Sequence, residues 1–342
     1  MHTKNLSTLS SATKLICFSF FLSIICAGKI AAQQAQEKTA QGIPAPQVVA
    51  ELVGSGVIST TDDEFGGGPS PDGTAFYFNK TVSPHYLYVL CEAHLINGKW
   101  SDAAVMPFSG QYRDTDGVLS PDGNTMYFAS DRPVNGKDPH RFLIWQSHKI
   151  EKSWSEPTVV SGSINSEGNQ VFASVAGNGT MYFASSRKTG QYDIFRAKLA
   201  NGEYQEPEDL GPVLNGPGIW TFESWVAPDE SYLLLGSFGR ARSLGSADIY
   251  ISFQQDGAWT KPVNLGPVVN TNARDYSPRV SADGKWLYFA SERGGPYDKR
   301  DKLYTYQEFT DEMKAVRNGL GNIYRVPLEP ILKEARNSAP KQ

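Results

Sequence analysis

The chain has few cysteines and no recognisable catalytic motif. Of its three cysteines, Cys17 and Cys26 fall in the first 32 residues, which leaves Cys91 alone in the rest of the chain. A single cysteine excludes an intramolecular disulfide, so stability must come from a packed core. The sequence contains no Gly-x-Ser-x-Gly string, no His-x-x-x-His pair and no paired cysteines. These absences argue against a serine hydrolase and give no metal signature. We therefore predict no catalytic residue, no metal site and no cofactor.

The N-terminal segment is the only long apolar run. Lys4 and Lys14 flank or precede the apolar residues 15–27, and small residues follow at 27–34. This order is typical of a secretory signal peptide rather than of a membrane span. We predict a signal peptide over 1–32, a linker over 33–46 and export to the periplasm or the cell exterior, with no transmembrane span in the mature protein. A lipoprotein anchor at Cys26 is disfavoured because Ile25 precedes it.

Acidic charge predominates once the predicted signal peptide is removed. That segment carries three lysines and no acids, so 29 basic residues remain against 36 acidic ones, a net charge of −7. An acidic chain is a poor partner for nucleic acids or anionic membranes. We therefore expect no nucleic-acid partner.

The most informative feature is a repeat that returns every 50 to 56 residues. Its five copies are SPDGTAFYF (70–78), SPDGNTMYFAS (120–130), AGNGTMYFAS (176–185), APDESYLLLGS (227–237) and SADGKWLYFAS (281–291). Each copy is a tight turn followed by an apolar strand. A period of this length is typical of units that must stack on their neighbours to bury an apolar face.

The repeat predicts an all-β protein, a β-propeller of four-stranded antiparallel blades. After each copy come a Lys or Arg, an aromatic-rich strand and a Gly-x-Trp turn, which together make about four strands per unit. The repeat count indicates five blades, with six as the alternative. Residues 47–53 form a strand that would complete the last blade and close the ring. We predict a single domain over 47–328, followed by a C-terminal tail over 329–342.

One long insertion interrupts the last unit. Residues 292–322 lengthen the connection after the strand of the fifth copy. Thr310 is a candidate N-cap for a short helix that runs to Arg317. Loops on one face of a rigid ring commonly determine specificity.

Charged residues recur near one end of each predicted inner strand. The acids are Glu64, Asp114, Asp116, Glu167, Glu223 and Asp275, and the bases are Lys80, Arg132, Arg187, Arg240 and Arg293. In each unit the inner strand starts near the acid, and the next strand runs back and ends at the base. The acids and bases should therefore lie at the same end of every blade and form a ring at one mouth of the channel. We favour ion pairs that fasten the blades. The alternative is a polar funnel for a peptide tail, a glycan or a cation.

The fourth unit departs most from the consensus. Trp220, Phe222 and Trp225 surround Glu223 there, and aromatic faces beside a carboxylate suit a sugar or a cationic side chain. The alternative is that these tryptophans pack between blades.

The motifs SPDG, YFAS, x-Arg, DIY and Gly-x-Trp resemble the repeat of TolB-type periplasmic β-propellers and of the propeller domains of prolyl-oligopeptidase-like peptidases. The resemblance covers residues 47–328. It implies a role in envelope protein complexes, although fold alone does not determine function. We predict an exported, non-catalytic, monomeric platform that binds a protein segment or an envelope glycan at the channel mouth. The alternative is a carbohydrate-active enzyme, a glycosidase or lyase that uses the ring carboxylates and tryptophans.

Overall fold

The chain folds as a five-bladed β-propeller. The structure is a computed structural model that describes residues 48–82, 86–188, 190–294 and 300–339. The predicted signal peptide and linker lie outside these residues. Each blade is an antiparallel sheet with an inner, a second, a third and a short outer strand. The all-β fold with five blades is confirmed, and the six-blade alternative is wrong.

The strands are described by blade, from blade 1 to blade 5. The inner strands are Asp63–Pro69, Asp114–Leu119, Gln170–Val175, Trp220–Val226 and Asp275–Val280. The second strands are Ala75–Val82, Thr125–Ser130, Met181–Ser185, Tyr232–Phe238 and Trp286–Ser291. The third strands are Leu87–Ile96, Leu143–Ile150, Asp193–Ala197, Asp248–Gln255 and Asn322–Pro327. The outer strands are Ala104–Val105, Thr158–Val159, Glu208–Asp209, Val263–Asn264 and, for blade 5, Glu51–Leu52. Short strands at Lys99–Trp100, Ser153–Trp154, Leu199–Ala200, Glu203–Tyr204 and Ala258–Trp259 extend the third-strand hairpins, and Ser163–Asn165 forms a 3-10 turn.

The N-terminal strand closes the ring, as the sequence predicts. Glu51 pairs with Arg325 and Leu52 with Tyr324 in antiparallel register. The carboxylate of Glu51 also lies 3.0 Å from the guanidinium of Arg325. The first strand of the described chain therefore completes the last blade and covers its edge.

The core lies between neighbouring blades. One cluster of fully buried side chains contains Ile144 of blade 2, Phe183 of blade 3 and Leu233 of blade 4. Each blade thus buries its apolar face against the next one. This arrangement follows from the alternation of apolar residues along strands whose two faces are both covered.

Side-chain hydrogen bonds hold the crossover loops that lead from one blade to the next. In each loop one polar side chain accepts a hydrogen bond from a backbone N–H of the preceding blade's third strand. The loop residues are Ser59, Ser109, Asn165, Asn215 and Asn270, and the residues they hold are, in the same order, Ile323, Leu90, Ile144, Ile194 and Ile249. The three asparagines also donate to the carbonyl of the same residue. We call these contacts the crossover clamps.

Two helices accompany the propeller. Helix α1, Tyr306–Met313, begins after Thr305, whose side chain forms a capping box with Glu308. The predicted start at Thr310 is wrong, because the Thr310 hydroxyl instead donates to the carbonyl of Tyr306 within the helix. Helix α2, Leu328–Ser338, covers the segment expected only as a tail, and its buried residues join the core of blades 4 and 5. No helix in the described part of the chain has the length and hydrophobicity of a membrane span.

We expect the crossover clamps to contribute strongly to stability. Asn270 is fully buried, and its amide bonds both the N–H of Ile249 (2.8 Å) and the carbonyl of Ile249 (2.9 Å). Asn270→Ala would leave the N–H of Ile249 without a partner, at a cost of about 1–3 kcal/mol. The carbonyl of Ile249 keeps its hydrogen bond from the N–H of Leu265. The control Asn124→Ala, in an exposed turn, should change the free energy of unfolding by less than about 0.5 kcal/mol. Chemical denaturation measures both, and equal values for the two variants would contradict the assignment.

Candidate functional site

Three of the predicted acids form buried ion pairs within their blades. Asp114 lies 2.6 Å from Arg132, Asp275 lies 3.0 Å from Arg293, and Glu64 lies 3.3 Å from Lys80. All three carboxylates are fully buried, and burial raises the pKa of Glu64 and of Asp114 despite their basic partners. In blades 1, 2 and 5 the predicted acid therefore pairs with a base, but each pair joins two strands of one blade rather than neighbouring blades.

The arginines of the ring also hold the crossover loops. Arg132 donates to the carbonyl of Phe108 at 3.1 Å, and Arg240 and Arg293 donate to the carbonyls of Leu214 and Val269 at 2.6 Å. Arg187 makes the same contact with Ile164. Each crossover loop of blades 2 to 5 is thus bound on one side by the clamp and on the other by an arginine. These guanidinium groups have a structural role.

The prediction that Glu167 and Glu223 pair with arginines is wrong. Blades 3 and 4 carry Gln170 and Thr221 at the position that Asp114 occupies in blade 2. Thr221 accepts a hydrogen bond from Arg240, and burial lowers the pKa of Arg240 to about 10. Arg187 lies 4.0 Å from the exposed Glu206, and Glu167 itself is exposed.

Glu223 is a buried link between blades 4 and 5. Its carboxylate accepts hydrogen bonds from the backbone N–H and the hydroxyl of Ser277, and its side chain is 0% exposed. Gly236 leaves the space for it, because a Cβ there would lie 2.2 Å from Glu223 Oε2. Burial raises the pKa of Glu223. This carboxylate therefore joins two blades and is not exposed to a ligand at the surface.

The inner strands share a β-bulge that reshapes the channel. The pairing register shifts by one residue after Phe65, Thr115, Val171, Thr221 and Tyr276. The bulge residue adopts positive φ at Gly66, Asp116, Phe172 and Ser277. A bulge redirects side chains and increases local twist. It brings Asp116 and the aromatic residues beside it to one end of the channel.

Aromatic side chains form a cavity at the end of the channel where the inner strands begin. The cavity has a volume of about 270 Å³. Its aromatic walls are Phe65, Tyr88, Phe142, Phe172, Tyr192, Trp220, Phe222, Phe238 and Tyr276, and its polar lining includes Asp63, Thr115, Asp116 and Arg274. We call it the aromatic bowl. Trp220 is its most accessible ring, with 44% of its surface exposed.

The aromatic rings of the bowl contact one another in edge-to-face, tilted and stacked pairs. Phe65 meets Tyr88 edge-on with centroids 5.9 Å apart, and Phe222 stacks on Phe238 at 4.9 Å. The guanidinium of Arg274 lies over the ring of Tyr276, 4.0 Å from its centroid. These contacts fix the walls before any ligand arrives.

Asp116 supplies a carboxylate to the bowl. It is 1% exposed, and its backbone N–H donates to Asn79 of blade 1 at 3.0 Å. Burial, reinforced by the charge of Glu223, raises the pKa of Asp116 to about 7, while Arg279 and a hydrogen bond from Thr115 oppose the shift. Burial and the charge of Asp116 also raise the pKa of Tyr192 to about 12. Asp116 therefore titrates near neutral pH beside the aromatic walls.

Of the twelve residues predicted for the channel mouth, Asp116 and Trp220 line the bowl. Trp225 lies at the opposite end, against Tyr232 and the SPDG turns, so the prediction that it borders the same mouth as Trp220 is wrong. Five residues of strand separate the two tryptophans by about 16 Å. Phe222, grouped with Trp220 from the sequence, also lines the bowl. The other seven aromatic walls were missed, although Phe65 and Tyr276 stand near the start of their inner strands as Phe222 does.

No metal site is evident in the described ranges. Among these residues, no three His, Cys, Asp or Glu side chains come together as a metal ion would require. Cys91 is buried, and burial raises the pKa of its thiol to about 11. A protonated, buried thiol is a poor nucleophile.

Comparison with known proteins leaves the activity open. No protein-family model and no curated protein matches the chain. It resembles TolB from Acinetobacter baumannii at 16% identity and a TM-score of 0.44, over 78% of this chain and 55% of that one. It resembles a puromycin-hydrolyzing peptidase of Mycobacterium tuberculosis at 12% and 0.37, over 75% and 41%. It also resembles a GH43 endo-arabinanase of Bacillus licheniformis at 10% and 0.47, over 79% and 95%. These similarities transfer no activity.

We expect Asp116 to make stability depend on pH. Its pKa is about 7 in the folded protein and about 3.9 in an unfolded chain, so the folded state binds more protons between these values. The stability that proton binding to Asp116 contributes is therefore fully present below about pH 4, and it is lost as the pH rises through 7. Asp116→Asn should gain stability relative to the wild type as the pH rises between these two pKa values, by about 1.4 kcal/mol for each pH unit.

The control for this prediction is Asp122→Asn. Hydrogen bonds from Ser120 and Asn124 lower the pKa of Asp122, so its substitution should lose stability relative to the wild type as pH rises. Urea denaturation at pH 4, 6 and 8 compares the variants. A pH-independent difference between Asp116→Asn and the wild type would contradict the assignment.

Proposed function

We propose that this protein is an exported, non-catalytic binding platform whose aromatic bowl receives a cationic side chain from a protein segment of the cell envelope. The observation that supports the proposal is a buried carboxylate, Asp116, within a cavity walled by nine aromatic rings. Export rests on the predicted signal peptide. A monomeric state remains our prediction.

A lysine or arginine side chain matches the chemistry of the bowl. A cation over an aromatic face gains about 0.5–1 kcal/mol at exposed sites and about 2 kcal/mol when water is excluded. Trp220 offers an accessible face at the rim, and Phe172 and Tyr192 line the cavity beside Asp116. An entering cation would also neutralise a carboxylate that burial disfavours as an anion.

Arg274 and Asp116 act on different walls of the bowl. The guanidinium of Arg274 lies over Tyr276 and Phe222, on the side of blades 4 and 5, whereas Asp116 acts on Tyr88 and Tyr192 of blades 1 and 3. Arg274 and Asp63 therefore lie on the side of the cavity near Tyr276, and Asp116 lies on the side near Tyr192. A bound peptide would direct its cationic group to Asp116, and its backbone carbonyls could accept hydrogen bonds from Arg274.

A carbohydrate-active enzyme is the second candidate. Trp220 beside a carboxylate whose pKa is raised would suit a general acid that works on a sugar. A glycosidase needs a second carboxylate facing the same substrate. Glu223 accepts both of its hydrogen bonds from Ser277 and does not line the bowl, and Asp63 accepts a hydrogen bond from the N–H of Gly321. Asp63 also lines the bowl, so release of reducing sugar is the observation that separates hydrolysis from binding.

We expect a lysine peptide to bind in the bowl. The probes are acetyl-Gly-Gly-X-Gly-Gly-amide peptides with lysine, arginine, norleucine or glutamate at X, titrated calorimetrically at pH 8. Lysine and arginine peptides should bind more tightly than the norleucine peptide. Trp220→Ala should weaken lysine binding about 3- to 30-fold, which corresponds to the loss of one cation–π contact. Lowering the pH to 6 should also weaken it, because Asp116 then becomes protonated.

Tyr306→Ala is the matched control, since Tyr306 is an exposed aromatic residue on helix α1 that does not line the bowl. Its lysine affinity should equal that of the wild type. Arabino- or xylo-oligosaccharides serve as competing probes. Oligosaccharide binding without lysine binding would replace the proposal with a glycan site, and release of reducing sugar would favour the enzyme.

A further inference from the structure

A second cavity opens at the other end of the channel, among the SPDG turns. It has a volume of about 180 Å³ and is lined by turn residues that include Pro71, Ser120, Pro228 and Ser281. Its deeper walls are apolar and contain Val118, Met126, Trp225, Val226 and Val280. We call it the turn-side vestibule. It shares no lining residue with the aromatic bowl.

One charged side chain, Arg279, lines this apolar vestibule. It is 4% exposed, and its Nη1 donates to the carbonyl of Pro278 at 2.9 Å. Its Nε and Nη2 atoms have no hydrogen-bond partner among the described residues. Glu223 and Asp116 are close enough to act on its charge, yet neither accepts a hydrogen bond from it.

The unpartnered donors are the informative feature. Buried polar groups are almost always hydrogen-bonded, and leaving one without a partner costs about 1–3 kcal/mol, or more when it is charged. Glu223 cannot turn toward Arg279 without releasing Ser277. The Nε and Nη2 atoms are themselves buried, so they are a pair of unsatisfied donors in a low-dielectric setting that strengthens a bond to an anion.

We propose that the turn-side vestibule binds the carboxylate end of an apolar ligand, with Arg279 as the group that recognises the carboxylate. The chemistry fits an N-acylated apolar amino acid or the C terminus of a peptide that ends in an apolar residue. The cavity is smaller than the roughly 300–1,000 Å³ of most small-molecule sites, so it holds an end group rather than a whole ligand. This site is independent of the function proposed for the bowl.

The test titrates residues 33–342, the chain without its predicted signal peptide, with paired probes. N-acetyl-leucine is compared with N-acetyl-leucinamide, and Gly-Gly-Gly-Ala-Leu with its C-terminal amide. Each acid should bind about 10- to 100-fold more tightly than its amide, the range expected for charge-assisted hydrogen bonds. If only the peptide binds, the ligand is a chain terminus. If the small acid binds equally well, a free metabolite of this class suffices.

Two variants locate the site. Arg279→Met should abolish the preference for the acid. Because Arg279 also offsets the charges of Asp116 and Glu223, the second variant is Ala282→Trp, which places a large ring at the exposed turn that borders the vestibule. It should block binding without disturbing the core. Ala103→Trp, at an exposed position that does not line the vestibule, is the control and should bind like the wild type.

Trp220→Ala separates this site from the bowl and should leave acid binding unchanged. Equal affinity for acid and amide, or normal acid binding by Ala282→Trp, would overturn the proposal. The same holds if neither acid binds at millimolar concentration. None of these results would affect the lysine-binding test of the bowl.

Discussion

The crossover clamps are the constraint on which the rest of the structure depends. Each clamp fixes the loop that enters an inner strand to the third strand of the blade before it, as Asn215 does with Ile194 and Asn270 with Ile249. An arginine of the following blade binds the same loop from the other side in blades 2 to 5. The relative positions of the inner strands therefore depend on a few buried hydrogen bonds, which are strong where water is excluded. Both cavities inherit their shape from those positions.

The channel is divided into two chemically different compartments. The aromatic bowl contains Asp116, and the turn-side vestibule contains Arg279, with Glu223 buried between blades 4 and 5 and acting on both. Arg279 is the charged residue that lines the vestibule, whereas the bowl is lined by Asp63, Asp116 and Arg274. The binding of a cation in the bowl and of an anion in the vestibule, as proposed above, would use separate residues.

The sequence predicted the architecture well because the architecture is repetitive. Five SPDG copies determine the blade count, and the strand before the first copy predicts closure at Leu52 and Tyr324. The pairs Asp114–Arg132 and Asp275–Arg293 could be predicted for the same reason, because acid and base recur at equivalent places in the repeat. Helix α2 was missed because it lies outside the repeat, and the start of helix α1 was misplaced because Thr310 was preferred to the capping box of Thr305 and Glu308.

The site was harder to predict because it depends on departures from the repeat. The acids were aligned by residue type, whereas the structure aligns Gln170 and Thr221 with Asp114, and this displaced Glu167 and Glu223 from their expected partners. The bowl combines Tyr88, Phe222 and Arg274, which lie far apart in the sequence. Their meeting requires the bulges of the inner strands and the closure of the ring. Neither feature has a local sequence signature strong enough to place side chains.

The role of Asp116 can be tested by a thermodynamic cycle at pH 8 between Asp116→Asn in the protein and lysine→norleucine in the peptide probe. If Asp116 is the counter-charge of the bound cation, the two changes will be coupled by about 1 kcal/mol or more. The norleucine peptide will then lose little affinity when Asp116 is replaced. Additive effects, with coupling below about 0.3 kcal/mol, would show that the cation does not meet Asp116 and would contradict the proposed binding mode.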